Sequence, residues 1–242
     1  MVMLPRIPLV TAAGLVLGVA VLAQPTAPEP ADYKDVAPAA LGVTPVAERK
    51  DPATGFVVGG RNPTALVRGL RALNNRVVAD LEADMRPGAK GEGGSDKGFL
   101  GADESLTAVL AADNAYVVDE LKLTHQELAR HLRVLAAVGQ RREAERRPAG
   151  PFTYHGRRFT VAFEVSRGYQ LSPFRDGTRT NAVATLTNVA TGRRVVYSLL
   201  VPDMAERYGF WEGTGTPYRV PPRDVVAVLD FLGKAGPPRP SP

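Results

Sequence analysis

The spacing of apolar positions divides the chain into a part that repeats them every three or four residues and a part that alternates them. Leu66, Leu70, Leu73, Val77 and Leu81 follow one another at three and four, and Met85 extends the stripe. This predicts one amphipathic helix with a buried face. Asn62 stands where a cap belongs and Pro63 where a first helical residue does, while Pro87 and Gly88 end the run. Residues 88–101 hold six glycines and read as a flexible loop. A second helix is expected near Asp103 through Leu106, Leu110, Val117 and Leu121, with residues 112–114 as a break that leaves open one helix or two. The strongest local signal follows. Thr124 and Glu127 have capping-box spacing, Leu123 and Leu128 have that of a hydrophobic staple, and Leu132, Leu135 and Val138 continue the stripe. A charged end at 141–147 and the breaker Pro148-Ala149-Gly150-Pro151 close this part.

From Phe152 the period shifts towards two, and 12 of the 16 aromatic residues lie there. Residues 152–154, a His155-Gly156 turn, and Phe159, Val161, Phe163 and Val165 predict a hairpin. Residues 182–188 and 194–201 predict two more strands joined across 190–192. Residues 203–208 read as a short helix, with Asp203 and Glu206 in capping-box spacing and Gly209 as its stop. A last strand at 218–220 and a terminal helix at 222–232 complete the pattern. The predicted fold class is α+β: N-terminal amphipathic helices followed by a small antiparallel β-sheet with one or two short helices. The expected parts are a helical region at 56–147, a β-rich region at 152–233 and a disordered Pro-rich tail at 234–242.

The N-terminus adds a localisation. Residues 7–23 form an uncharged apolar run of 17 behind Arg6, and they end in Val-Leu-Ala. Positive charge, apolar stretch and small residues come in the order of a secretory signal. As a helix the run spans about 26 Å, slightly short of a ~30 Å hydrocarbon layer. Residues 1–23 are therefore expected to be a cleaved signal peptide or a membrane anchor, and the protein to be exported: periplasmic, extracellular or membrane-anchored. Residues 24–55 carry six prolines among small and charged residues, the composition of a disordered tether.

Composition narrows the chemistry. Hydrophobic residues make up 44% and charged residues 23%, ordinary values for a protein with a core. Without cysteine there is no disulfide, thiolate site or cysteine nucleophile. A net charge of +5 is a slight arginine excess spread over alternating signs. Residues 88–95 miss the P-loop lysine, because Gly94 stands in its place, and the three histidines do not fall in a metal-binding motif. The capped helix at 124 lacks the turn and recognition helix of a DNA reader, so no nucleic acid is expected as a partner. No cofactor and no metal are expected.

Catalytic candidates are weak. Ser166 sits in an incomplete nucleophile elbow with His155 as its remaining base, and Asp176, Asp203, Glu206 and Glu212 are the available carboxylates for an unrecognised hydrolase. Two loops stand out more. Residues 169–181 (YQLSPFRDGTRTN) offer Gln170, Ser172, Arg175, Asp176, Thr178, Arg179 and Asn181 as a polar lining. Residues 208–218 (YGFWEGTGTPY) offer Tyr208, Phe210, Trp211 and Tyr218 as stacking faces, with Glu212 among them. These residues are expected either to bind an envelope protein or an extracellular polymer, or to fill a small core and satisfy turns. The first alternative makes the protein a non-catalytic binding or structural module of the cell envelope.

Overall fold

The computed structural model describes residues 28–90 and 94–232. The leader and the tail lie outside the described residues. The fold is mixed α+β, and among the described residues the strands pair antiparallel.

Residues 28–55, expected to be a disordered tether, are ordered against the rest of the chain. Two single 3-10 turns, Tyr33–Asp35 and Pro38–Leu41, are followed by strand β1 (Arg49–Lys50), which pairs with β2 (Val57–Val58). Tyr33 is 1% exposed and meets Phe152 edge-on at 5.6 Å. Asp32 accepts hydrogen bonds from the backbone N–H groups of His155 and Gly156 at 2.9 and 2.7 Å. One buried aromatic ring and one carboxylate thus anchor a segment whose proline content argued for disorder.

The long helix expected across 62–85 is three elements. Helix α1 (Thr64–Arg68) is followed by a hairpin of β3 (Ala72–Leu73) and β4 (Arg76–Val77), and then by α2 (Val78–Met85). Asn74 and Asn75 form the turn at φ 50° and 59°, the left-handed pair that a two-residue hairpin requires and that asparagine tolerates. The apolar stripe survives the interruption in part: Leu70, Leu73, Leu81 and Met85 are buried, while Val77 is exposed. Helix α3 (Leu106–Asn114) does not break at 112–114 but widens into a π-helical segment, Ala115–Glu120.

Helix α4 (His125–Ala144) begins with the capping box read from the sequence. Glu127 N–H donates to Thr124 Oγ1 at 3.0 Å, and Thr124 N–H donates to Glu127 Oε2 at 2.6 Å. Its buried face carries Leu128, Leu132, Leu135 and Val138; each such leucine contributes on the order of 1.5–3 kcal/mol by leaving water. This face supports the main sheet, ordered β5 (Phe152–Tyr154), β6 (Arg157–Leu171), β7 (Arg179–Asn188) and β8 (Arg194–Ser198). Gly139 permits the close approach, because a Cβ there would lie 3.0 Å from both Val161 and Phe163. β6 and β7 pair regularly from Phe159↔Asn188 to Val165↔Ala182 and resume at Gln170↔Thr180, so residues 166–169 bulge out opposite Asn181.

Helix α5 (Leu200–Tyr208) starts three residues earlier than the capping-box reading placed it and ends at Gly209 in the left-handed conformation. Asp203 and Glu206 do not cap it; they hold other parts of the chain, as described below. Residues 218–220 form no strand, and helix α6 is Pro222–Leu229. Buried side chains from 33 through 229 belong to one continuous core, so the breaker at 148–151 separates elements and not cores.

Candidate functional site

The two loops singled out in the sequence do not form one surface. The 169–181 segment is the tip of the β6–β7 hairpin and divides its residues between two open clefts. Ser172, nearly fully buried, closes the tip: its N–H donates to Thr178 O, and its Oγ accepts from Phe174 N–H. Phe174 is driven into the core, stacked on Tyr208 at 4.1 Å. Arg175 and Asp176 are thereby left facing one cleft, and Gln170 and Asn181 the other.

The first cleft has a volume of about 760 Å³. Its walls come from residues 44–49, the Asn74-Asn75 turn, Arg133 on α4, Arg175 and Asp176, and Arg207 and Tyr208 at the end of α5. The side chains that line it include four arginines against one aspartate. Most of these groups are fixed in place. Glu206, whose side chain is fully buried, pairs with Arg133, lies 3.9 Å from Arg130 and accepts from Val46 N–H at 3.0 Å. Gln126 donates to Val46 O at 3.0 Å, so both backbone groups of Val46 are held. Arg207 binds Asp203 at 2.9 Å and lies 4.0 Å from Asp176. Thr178 donates to Asp203 at 3.1 Å, and Tyr208 donates to Asp176 at 3.1 Å. Burial and the neighbouring Asp176 charge raise the Tyr208 hydroxyl well above the ordinary phenol range, so it stays a donor. Arg175 and Arg76 share one oxygen of Asp84, each at 2.7 Å.

The second cleft, about 520 Å³, lies between the 94–98 loop, the 166–169 bulge, Gln170, Asn181 and Tyr218. Tyr169 is exposed there, with the Arg179 guanidinium 4.8 Å from its ring centre.

Trp211 and Glu212 are structural. Trp211 is fully buried and presents no stacking face. Its indole N–H donates to His125 Nδ1 at 2.9 Å, which leaves the proton of the neutral imidazole on Nε2, 3.2 Å from Asn114 Oδ1. Asn114 donates in turn to Asn62 O and to Thr64 Oγ1, and the Thr64 hydroxyl donates to Asp119. Burial alone pushes the His125 pKa down to about 3. Glu212 is 1% exposed and takes left-handed φ 64°. Thr216 donates to its Oε2 at 2.9 Å, while Oε1 has no partner, and burial raises its pKa to about 8. Trp211 and Glu212 therefore follow the core-filling alternative; Tyr208, though buried, still borders the first cleft.

The proposed hydrolytic groups are not assembled. His155 lies at the β5–β6 turn, stacked on Phe231 at 4.5 Å, whereas Ser166 lies in the second half of β6, at the start of the bulge. The nine strand steps from Arg157 to Ser166 put them roughly 30 Å apart. Asp176, Asp203 and Glu206 are committed to the partners named above. Among the described residues no group of three or more His, Asp or Glu is placed to hold a metal ion.

The sequence reading missed Arg49, Arg133, Arg207 and the two asparagines of the first cleft. Only the asparagine pair carried a local signal, that of a hairpin turn; the arginines are brought together by contacts between segments far apart in the chain. Comparison with protein-family models, curated proteins and solved structures finds no match.

Proposed function

We propose that this protein is an exported or membrane-tethered, non-catalytic binding module of the cell envelope, with an envelope protein or an extracellular polymer as its partner. In this reading the 7–23 leader delivers or anchors the chain. The helices that precede the sheet are the base on which the hairpin tip and the end of α5 are mounted. Among the described residues no helix is long and apolar enough to cross a membrane.

The observation that carries the reading is how the candidate polar side chains are used. Asp176, Asp203 and Glu206 brace the walls of an open cleft and leave guanidinium groups at its mouth. Catalysis by such carboxylates requires one free to accept or give a proton in the cleft, whereas a binding surface requires rigid donors. Two measurements test the proposal. A reporter fused after residue 55 is expected outside the cytoplasm, and the full chain is expected to co-sediment with isolated envelope material. A reporter retained in the cytoplasm with its leader intact contradicts export, and absence of co-sedimentation contradicts envelope binding.

A further inference from the structure

We propose that the first cleft binds a ligand carrying two or more phosphate or carboxylate groups, gripped by Arg49, Arg175 and Arg207. This rests on the binding-module reading and names the chemistry of its ligand.

The cations at this cleft are all arginine. A guanidinium presents a planar fork of donors that matches an oxyanion two bonds at a time, which a lysine ammonium does not. Their mutual arrangement also leaves positive charge uncompensated. Arg175 and Arg76 divide a single carboxylate, Asp84. Arg133 and Arg130 divide another, Glu206, which is completely buried and beyond a ligand's reach. Arg49 is exposed and makes no direct ion pair among the described residues, its charge acting only at longer range on Asp51. Arg207 alone has two acidic neighbours, Asp203 and Asp176, so the uncompensated charge lies with Arg49 and with the arginines that share a carboxylate. Four arginines against one aspartate, with low-dielectric protein behind them, concentrate positive potential at the opening.

The guanidiniums are also held before any ligand arrives. Arg175 and Arg207 are tied at one end to aspartates, yet their side chains remain 39% and 32% exposed. Donors fixed in this way lose little rotamer freedom on binding, which favours affinity. A volume of about 760 Å³ greatly exceeds one phosphate or carboxylate. The open shape suits a chain or branched molecule that places successive oxyanions against Arg49, Arg175 and Arg207.

The test is calorimetric titration of the full chain with inorganic tripolyphosphate, citrate and, as a monovalent reference, acetate. Binding of tripolyphosphate or citrate but not acetate is expected, and it should weaken as NaCl rises from about 50 mM to about 500 mM. The two polyanions separate a phosphate source from a carboxylate source. Arg49→Gln removes a side chain with no ion pair to disturb, and Arg175→Gln leaves Asp84 still paired with Arg76. Each is expected to weaken binding by roughly ten- to a hundredfold, the loss of one charge-assisted contact. No binding of either polyanion at low salt overturns the inference, as does binding unchanged by both substitutions. Co-sedimentation with envelope material in the absence of polyanion binding overturns this inference alone; loss of both overturns the binding-module reading as well.

Discussion

The buried carboxyl of Glu212 gives the sharpest stability prediction. Glu212 is sequestered beneath the 213–216 turn with one oxygen unpartnered, and burial raises its pKa from 4.5 to about 8. In the unfolded chain the group ionises near its ordinary value. Between about pH 4.5 and 8, folding therefore requires a proton that the unfolded chain does not hold. The contribution of Glu212 is most favourable below 4.5 and is lost as pH rises towards 8, at roughly 1.4 kcal/mol per pH unit. By about pH 7 the accumulated loss is on the order of 3 kcal/mol. Glu212→Gln keeps the size of the side chain and an acceptor for the Thr216 hydroxyl, and it removes the ionisation. Urea unfolding of both proteins across this range is expected to show the variant gaining on the parent as pH rises, with the difference growing by about 3 kcal/mol between about pH 4 and pH 7. A difference that stays constant across the range would refute the burial argument.

Three further outcomes follow from the same physical terms. Burial depresses the pKa of His125 to about 3 and of His131 to about 4, so both are neutral in the fold and protonated in the unfolded chain below about pH 6.5. Stability is then lost on acidification from about pH 6.5, steeply down to about pH 4 and less so towards pH 3; an acid limb unchanged by His125→Gln, read from thermal melts, contradicts this. Trp211→Phe leaves the Nδ1 of His125 buried and unpartnered and should cost about 1–3 kcal/mol beyond the lost ring area, measured by denaturant unfolding. Arg133→Met leaves the buried Glu206 with Val46 N–H and with Arg130 at 3.9 Å, and should cost about 1–3 kcal/mol, whereas the double variant Arg133→Met with Glu206→Gln should recover much of it.

The parts of this fold legible in the sequence are those determined locally. The Thr124–Glu127 box lies within one turn of helix, and its residues needed no distant partner to declare themselves. The β5–β6 hairpin and the β7–β8 pair are legible through alternation, and Gly209 through its position behind the 203–208 helix. The 62–85 stripe misleads because its four buried apolar positions come from the link after a short helix (Leu70), a hairpin (Leu73) and a second helix (Leu81 and Met85); a three-and-four spacing records which side chains face the core, and more than one backbone path satisfies it. The 28–55 segment misleads because a few scattered residues hold it, Tyr33, Asp32, Val43 and the backbone of Val46 among them, too few to alter a composition.

The candidate site divides along the same line. Arg175, Asp176 and Tyr208 were in the sequence reading, and they do border the first cleft. Trp211 was chosen for its ring and lies wholly inside, where its N–H orients His125. Arg49, Arg133 and Arg207 were invisible as a set because no spacing relates them. Only the docking of residues 44–49 through Val46 onto α4 and α5 brings the first of them beside the other two.

The most direct test of the account is amide hydrogen exchange on the full chain with and without isolated envelope material. The account predicts added protection concentrated at residues 44–49, 74–75, 173–178 and 206–209, abolished by the combined Arg49→Gln and Arg175→Gln substitutions. Protection confined to other surfaces, or none at all, would contradict the claim that the arginine-lined cleft is where this protein binds.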